Sequence, residues 1–240
     1  MRKIFSALFC VAAVFAMFSC ESAEQEYKVE HYYDNIYTVN KSAVVPEFVD
    51  SFTMVTGLDQ YGLQTGDRAR MILRYYFDAS TMRRPEITVH QLVEVIPTLP
   101  LTAKEDVDTA LYTTAFNNLH YYEFIDRYTH PVWIWKNRQN INISYFGSRD
   151  NASFAMSVRG VKDGCVEFDL RAKADRVGNV TSTRLLTFDL SGVADFLTDE
   201  QKAVIAGTDS LEARIFLNRE ENGVVKEVEI VGGYFANPVK

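Results

Sequence analysis

The chain has 240 residues, enough for one large domain or two small ones, and 47% of them are hydrophobic and 24% charged. These proportions are typical of a globular protein and exclude a disordered or collagen-like chain. A formal net charge of −7 argues against non-specific nucleic-acid binding, which requires a cationic surface, and three cysteines are too few for a disulfide scaffold.

The first residues have the composition of an export signal. Arg2 and Lys3 precede an apolar run that extends to Phe18. Because a membrane-spanning helix needs about 20 apolar residues, this run is too short to cross a bilayer and instead matches the hydrophobic part of a signal peptide. We therefore predict that the chain is exported from the cytoplasm.

The apolar run ends in Met17-Phe18-Ser19-Cys20. This segment resembles a bacterial lipobox, in which the cysteine thiol receives a diacylglycerol and the chain is then cut before that cysteine. We predict a signal peptide over residues 1–19, a lipid on Cys20 and a tether over residues 20–30. The lipid would hold the protein in the outer membrane, on its periplasmic or its surface-exposed face. An ordinary secretory signal cut near Ala23 is the alternative.

Strand patterns dominate the rest of the chain. Runs rich in β-branched and aromatic residues, several with alternating polarity, predict strands over residues 48–55, 67–77, 86–96, 130–136, 141–146, 153–159, 165–171, 185–190, 212–218 and 224–231. The second and third of these runs predict a hairpin, and Gly66-Asp67 predicts a tight turn before it. Pro97 ends the hairpin because proline cannot donate to a strand ladder.

Helix signals are few. Thr198-Asp-Glu-Gln201 has the form of a capping box and predicts a short helix that ends near Gly207. Thr102-Ala-Lys-Glu105 has the same form, and we predict a second helix from there to about His120.

The composition changes near residue 130. Eleven of the thirteen tyrosines lie between Tyr27 and Tyr128, and all four histidines lie at or before His130. We predict one β domain over residues 31–129 and a second over residues 130–240. The closely spaced strands of the second domain predict an antiparallel β-sandwich.

An ordered set of short motifs extends over nearly the whole chain after the signal peptide. The motifs are Leu63-Gln-Thr-Gly-Asp-Arg68, Val93-Glu-Val-Ile-Pro97, Val132-Trp-Ile-Trp135, Ile141-Asn-Ile-Ser-Tyr-Phe146, Glu167-Phe-Asp-Leu-Arg171, Thr187-Phe-Asp-Leu-Ser191 and Ala213-Arg-Ile-Phe-Leu217. In this order they resemble the NigD-like lipoproteins of Bacteroidetes. The resemblance implies a mostly β protein with an N-terminal OB-like barrel, a C-terminal antiparallel β-sandwich and few short helices. It also implies a role in the cell envelope related to bacteriocin immunity.

The sequence contains no pattern for catalysis or metal binding. Gly-x-Ser-x-Gly, His-Glu-x-x-His and Cys-x-x-Cys do not occur, and the four histidines lack ligand spacing. Cys165 lies in a strand pattern typical of a structural thiol. We predict a protein without enzymatic activity, cofactor or metal. A hydrolase based on a carboxylate pair such as Asp195 and Asp199 is the alternative.

The candidate binding site lies on the first hairpin. It combines three arginines of one strand, the two tyrosines that follow them and two arginines at the hairpin tip: Arg68, Arg70, Arg74, Tyr75, Tyr76, Arg83 and Arg84. Residues 68, 70 and 74 share strand parity, so we expect them on one exposed face, together with one of the two tyrosines. The alternatives are a solvated face that carries ion pairs and a set of arginines paired with acids of the second domain.

These observations predict a non-enzymatic binding module whose partner is an envelope protein or a glycan with acidic groups, and not a nucleic acid. A surface glycan-binding accessory lipoprotein is the alternative function. Asp108-Thr-Ala110 and Asp209-Ser-Leu211 resemble the short O-glycosylation motif of exported Bacteroidetes proteins. If Thr109 and Ser210 are modified, they must be exposed.

Overall fold

The computed structural model describes residues 28–46, 53–79, 83–107, 109–119, 123–124, 127–128 and 132–240. The predicted signal peptide, Cys20 and the first part of the predicted tether lie outside these residues. The structure is mostly β, as the sequence predicts.

The described residues form sixteen strands and one α-helix. The strands are β1 (Lys28–Asn40), β2 (Ala43–Pro46), β3 (Thr53–Met54), β4 (Arg68–Asp78), β5 (Glu86–Ile96), β6 (Thr98–Leu99), β7 (Phe116–Leu119), β8 (Glu123–Phe124), β9 (Arg127–Tyr128), β10 (Val132–Trp135), β11 (Arg138–Phe146), β12 (Ser153–Lys162), β13 (Cys165–Lys173), β14 (Thr181–Asp189), β15 (Ser210–Glu221) and β16 (Val224–Ala236). The helix, α1, is Asp199–Ile205.

The first sheet has the strand order β3-β2-β1-β4-β5, and every pair in it is antiparallel. The predicted hairpin is confirmed as β4 and β5, and Gly66 in the turn before β4 has a φ of +103°. Thr56, just after β3, forms a bridge to Thr88 on β5 at the other end of this order. The sheet therefore curls until its ends meet, which forms the half-barrel expected of an OB-like domain.

One face of this sheet carries its apolar core. The buried cluster takes odd-numbered residues from the central strands and apolar residues from the neighbouring segments: Tyr37, Val39, Val44, Val55, Leu58, Ala69, Met71, Leu73 and Val89. Because side chains alternate along a strand, the even-numbered residues of β1 and β4 emerge on the opposite face.

The second sheet contains nine strands. Seven follow the order β12-β13-β15-β7-β11-β14-β6, β10 pairs with β11, and β16 pairs with β15. Val158 on β12 and Phe188 on β14 belong to the same buried cluster although their strands lie far apart in this order. The sheet must therefore fold over a single core, an arrangement consistent with the predicted β-sandwich. Its pairing is mixed and not wholly antiparallel as predicted, because β15 pairs in parallel with β13 and β7, and β6 pairs in parallel with β14. Strands β8 and β9 form a separate pair.

Two local predictions for the second sheet and its helix are confirmed. Val166, Phe168 and Leu170 alternate on β13 and are fully buried. Thr198 caps α1, because its hydroxyl accepts from the Gln201 N–H while the Gln201 side chain accepts from the Thr198 N–H. Burial of each large apolar side chain contributes roughly 1.5–3 kcal/mol.

The predicted helix from residue 102 to about residue 120 is wrong. The segment forms one turn of 3-10 helix at Lys104–Asp106, and then strand β7. Thr114 forms a bridge with Ala172, and the Phe116 ring is buried in the second core. Tertiary pairing and burial thus outweigh a local capping pattern that lacks apolar helical spacing.

Strands β6 and β7 extend the second sheet into the region before residue 130. Thr98 and Leu99 pair in parallel with β14, and β7 pairs with β11 and with β15. The predicted division into domains at residues 129 and 130 stays a prediction, whereas these pairings place residues 98–99 and 116–119 in the second sheet.

Arg68 joins the two sheets. Its side chain is 1% exposed, and its Nη1 donates to the carbonyl oxygen of Leu186 at 2.9 Å while its Nη2 donates to Oδ1 of Asn142 at 2.6 Å. The expectation that Arg68 lies on an exposed face is therefore wrong. A guanidinium is tolerated in this position because polar atoms of the second sheet receive its protons.

We expect Arg68→Ala to lower the free energy of unfolding by about 2–4 kcal/mol, because it removes buried charge-assisted hydrogen bonds and leaves a cavity between the sheets. The matched control is Arg70→Ala on the same strand, where a half-exposed ion pair contributes less than about 1 kcal/mol. Urea unfolding of both variants measures the difference. Equal and small losses would contradict a structural role for Arg68.

Candidate functional site

The register of β1 against β4 decides which side chains share a face. Tyr32 lies directly opposite Arg74, and Glu30 lies opposite Tyr76. Side chains at even positions of the two strands consequently emerge on the same side of the sheet. We call this set the ion-pair face, and it comprises Glu30, Tyr32, Asp34, Arg70, Arg74 and Tyr76.

Arg70 forms a two-pronged ion pair on this face. Its Nε donates to Oδ1 of Asp34 at 2.9 Å, and its Nη2 donates to Oδ2 at 2.5 Å. The side chains are 41% and 38% exposed, so the pair meets water on one side. The parallel bonds hold the guanidinium and the carboxylate in one plane.

Glu30 is the centre of a second group. Its Oε1 accepts hydrogen bonds from the Tyr32 hydroxyl, at 2.8 Å, and from the Arg74 Nε. The bond from Tyr32, and then the bond from Arg74, hold the pKa of the Glu30 carboxyl below its usual value of 4.5. The same carboxylate raises the pKa of Arg74 and of the Tyr32 hydroxyl. All three groups therefore keep their charge state throughout the neutral range.

The rings of this face are held at fixed angles. Tyr32 is 49% exposed, and its ring meets His90 edge to face at a centroid distance of 4.8 Å. The guanidinium carbon of Arg74 lies 5.3 Å from the centroid of the Tyr76 ring. The face thus presents a half-exposed aromatic ring between fixed polar groups.

Tyr75 lies on the other face of the sheet. Its ring centroid is 6.5 Å from those of His31 and Tyr33, and these two rings lie 6.2 Å apart. The prediction that Tyr75 and Tyr76 point to opposite sides is therefore correct, although both are half-buried. Of these two tyrosines, only Tyr76 shares a face with the paired arginines.

Arg83 and Arg84 are exposed in the loop between β4 and β5. They lie at the end of the sheet where β1 begins, because Lys28 pairs with Asp78. The opposite end of the same strands contacts the second sheet through Arg68. The predicted site is thus distributed over a buried junction, a central face and an exposed tip.

A cleft of about 240 Å³ lies where the ion-pair face meets the second sheet. It is lined by Arg70 and Glu94 from the first sheet and by Arg149, Ser182, Thr183 and Leu185 from the second part of the chain. Glu94 lies opposite Arg70 across the strands, and its Oε1 is 3.5 Å from Nη2 of Arg149. The second sheet therefore forms a wall at one end of the ion-pair face.

A larger depression of about 490 Å³ lies at the hairpin of β15 and β16. Its walls include Phe146 and Glu220, and both contact Arg176, which covers the ring and binds the carboxylate. Arg176 of the protein itself thus covers the Phe146 ring. We therefore take the ion-pair face and its cleft as the candidate site.

The residues of β1 that complete the site are not among those predicted from the sequence. The predicted tether over residues 20–30 overlaps β1, because Lys28 already begins this strand and Glu30 is a member of the ion-pair face. The shared parity of Glu30, Tyr32 and Asp34 was the available signal. It indicates a strand with a polar face, but it does not show which strand lies beside it.

Other candidate residues have no place in this site. Cys165 is buried, and burial raises the pKa of its thiol, as expected of a structural cysteine. Thr109 and Ser210 are both exposed. In the part of the chain that the structure describes, no three metal-ligating side chains gather at one place, and no helix is long and apolar enough to span a membrane.

No family model matches the chain, and no curated protein matches it. Two solved structures share its two-part β fold. A protein of unknown function from Bacteroides vulgatus is 11% identical, with 87% of this chain and 92% of that chain covered at a TM-score of 0.51. A candidate lipoprotein from Bacteroides fragilis is also 11% identical, with 86% and 97% covered at a TM-score of 0.58. At such low identity the likeness shows the fold alone.

A NigD-like immunity protein from Bacteroides caccae is also among the structural neighbours. It is 10% identical to this chain, with 84% of this chain and 97% of that chain covered at a TM-score of 0.48. The first two structures support the two-part β fold.

We expect Tyr32→Phe to raise the pKa of the Glu30 carboxyl toward 4.5, because the variant removes the hydroxyl whose bond contributes most to the lowered value. Because the lowered pKa favours the carboxylate, this bond contributes stability above the ordinary pKa, and the contribution is lost as the pH falls through the folded-state value. Carboxyl ¹³C titration measures the midpoint. Tyr33→Phe, on the opposite face, is the control and should leave it unchanged. A midpoint that moves equally in both variants would contradict the assignment of the lowered Glu30 pKa to the Tyr32 hydroxyl.

Proposed function

We propose that this protein is a non-enzymatic binding module, anchored in the outer membrane through Cys20, that holds an envelope ligand on its ion-pair face. The observation that carries the proposal is the half-exposed Tyr32 ring, set among paired arginines and carboxylates and bordered by a cleft. An aromatic surface with convergent polar groups at a concave place is typical of ligand sites.

The charge state of the face supports binding over catalysis. A general acid or base works best with a pKa near the operating pH. Here the hydrogen bonds move the pKa of Glu30 down and that of Arg74 up, away from neutrality. Both groups are thereby suited to hold a ligand in place and unsuited to proton transfer.

The anchor is supported by the segment that ends at Cys20, and the candidate lipoprotein with the same fold agrees with it. Eight positions separate Cys20 from Lys28, where β1 begins. Even fully extended, this segment spans only about 28 Å. The exposed tip with Arg83 and Arg84 would therefore lie near the membrane.

We expect Cys20→Ala to release the protein from the membrane fraction, because the variant lacks the thiol that carries the lipid. Stable attachment needs more than one acyl chain, so loss of the lipidated cysteine leaves no comparable anchor in the described residues. Fractionation of cells and fatty-acid labelling measure the result, with Cys165→Ala as the matched cysteine control. A Cys20→Ala variant that still sediments with membranes would contradict the anchor.

The binding face is tested by photo-crosslinking in living cells. A photoreactive phenylalanine analogue replaces Tyr76 on the ion-pair face or, as a control, Tyr234 on the second sheet, which is 65% exposed. We expect adducts from the first position and none from the second. Adducts at neither position, or equally at both, would contradict a binding role for the ion-pair face.

A further inference from the structure

We propose that the ligand of the ion-pair face is a neutral glycan chain, held by one sugar ring against Tyr32 and by hydroxyl groups on the arginine–carboxylate pairs. This inference rests on the proposed function of the face and names the chemical class of its ligand. It replaces the sequence-based expectation of a ligand with acidic groups.

The arginines of the ion-pair face are already neutralised by carboxylates. The face and its cleft contain three guanidinium groups, of Arg70, Arg74 and Arg149. A carboxylate lies against each of them, from Asp34, Glu30 and Glu94 in turn. These six groups sum to zero, and Glu86, opposite Tyr76 on β5, adds a further negative charge beside Arg74. An anionic ligand would have to displace a carboxylate from its arginine, so it gains little over the free state.

The ion pairs of the face match the hydrogen-bonding groups of a sugar. A sugar hydroxyl both donates and accepts, and neighbouring hydroxyls on a ring lie side by side. In the pair of Arg70 and Asp34, donor and acceptor groups are held adjacent in one plane, and both side chains are about 40% exposed. A neutral polyhydroxyl ligand can bond to both partners without breaking the ion pair, which an ionic ligand cannot do.

The ring of Tyr32 is exposed and has a fixed orientation. Its hydroxyl is tied to Glu30 and its edge meets His90, so the plane of the ring is fixed before a ligand arrives. Half of the residue is exposed to solvent. A sugar ring has an apolar C–H face that packs on such an aromatic surface while its hydroxyls reach the polar groups around it. A pre-oriented ring loses little entropy on binding.

A peptide ligand would use different features. An extended peptide adds a strand to a sheet edge, and its main-chain hydrogen bonds lie in the plane of the sheet. Side chains such as Tyr32 and Arg74 stand roughly perpendicular to that plane. Strand addition would therefore make no use of the side chains that bond to Glu30. A glycan would contact these side chains directly.

The dimensions of the ion-pair face and its cleft indicate where the end of the glycan chain lies. From Arg70 to Tyr76 the face runs about 20 Å along β4, enough for several sugar rings in a row. The cleft beside Arg149, at about 240 Å³, is smaller than the 300 Å³ or so at which pockets for drug-sized ligands begin. We therefore place a single terminal ring in the cleft and the rest of the chain along the face toward Tyr32.

The experiment uses the full chain purified in detergent and two sets of oligosaccharide probes. The neutral set is built from glucose, mannose, galactose, xylose and N-acetylglucosamine, and the matched anionic set carries uronic acid or sulfate groups. We expect the tightest binder in the neutral set, with a Kd that changes less than about twofold between roughly 50 and 500 mM NaCl, because no net charge is neutralised.

Tyr32→Ala should weaken this binder at least about tenfold, since the variant removes the stacking surface. Tyr234→Ala is the matched control. Tyr234 is also exposed, and it also donates to a carboxylate, Glu212, that an arginine binds, but it lies on the second sheet. We expect the Kd of the Tyr234→Ala variant for the same probe to stay within about twofold of the wild-type value.

Three results would overturn the glycan inference: no binding by any neutral probe, tighter and salt-sensitive binding of an anionic probe, or equal effects of Tyr32→Ala and Tyr234→Ala. A crosslinked protein or peptide at position 76 would also overturn it, and would leave the proposed function of the face intact. A failed Cys20→Ala test would remove the anchor and leave glycan binding by the purified chain unaffected. The failures of the two proposals are thus distinguishable.

Discussion

The continuous antiparallel pairing of β1 with β4 is the constraint on which the rest of the first sheet depends. It joins eleven residue pairs without a shift, from Lys28 opposite Asp78 to Thr38 opposite Arg68. A slip of one residue would turn every side chain of β1 to the other face. The buried odd-numbered residues prevent this, and by doing so they also align the polar even-numbered residues into the ion-pair face.

That alignment explains why the arginines of β4 form no cationic patch. Arg70 and Arg74 each emerge beside an acidic residue of β1, so their charges are neutralised within the sheet itself, whereas Arg68 is buried against the second sheet. On the second sheet, Tyr234, Glu212 and Arg214 repeat the motif of a tyrosine and an arginine on one carboxylate. The first sheet differs in having a wall, because Arg149 and the segment around Ser182 close one end of its polar face.

The junction at Arg68 sets the shape of the boundary between the two sheets. The residue bonds to Leu186, 118 positions away in sequence, and to Asn142. Parallel pairing of Thr98 with Thr187 adds a backbone connection nearby. A buried guanidinium tolerates few alternative arrangements, because any movement that separates it from these oxygens leaves a charge without its hydrogen bonds. The Arg68 guanidinium thus holds the two sheets in one arrangement.

The sequence by itself determined the features that rest on local chemistry. The hairpin of β4 and β5, the alternation along β13 and the capping box of α1 each follow from residues close together in the chain. Tertiary structure decided the rest. It converted the predicted helix after Thr102 into strand β7, because Phe116 fills the second core and its backbone completes the sheet. It also divided three arginines of equal parity between a buried junction and an exposed face. Parity indicates which side of a strand a residue occupies, but only the neighbouring strands and the second sheet determine what covers that side.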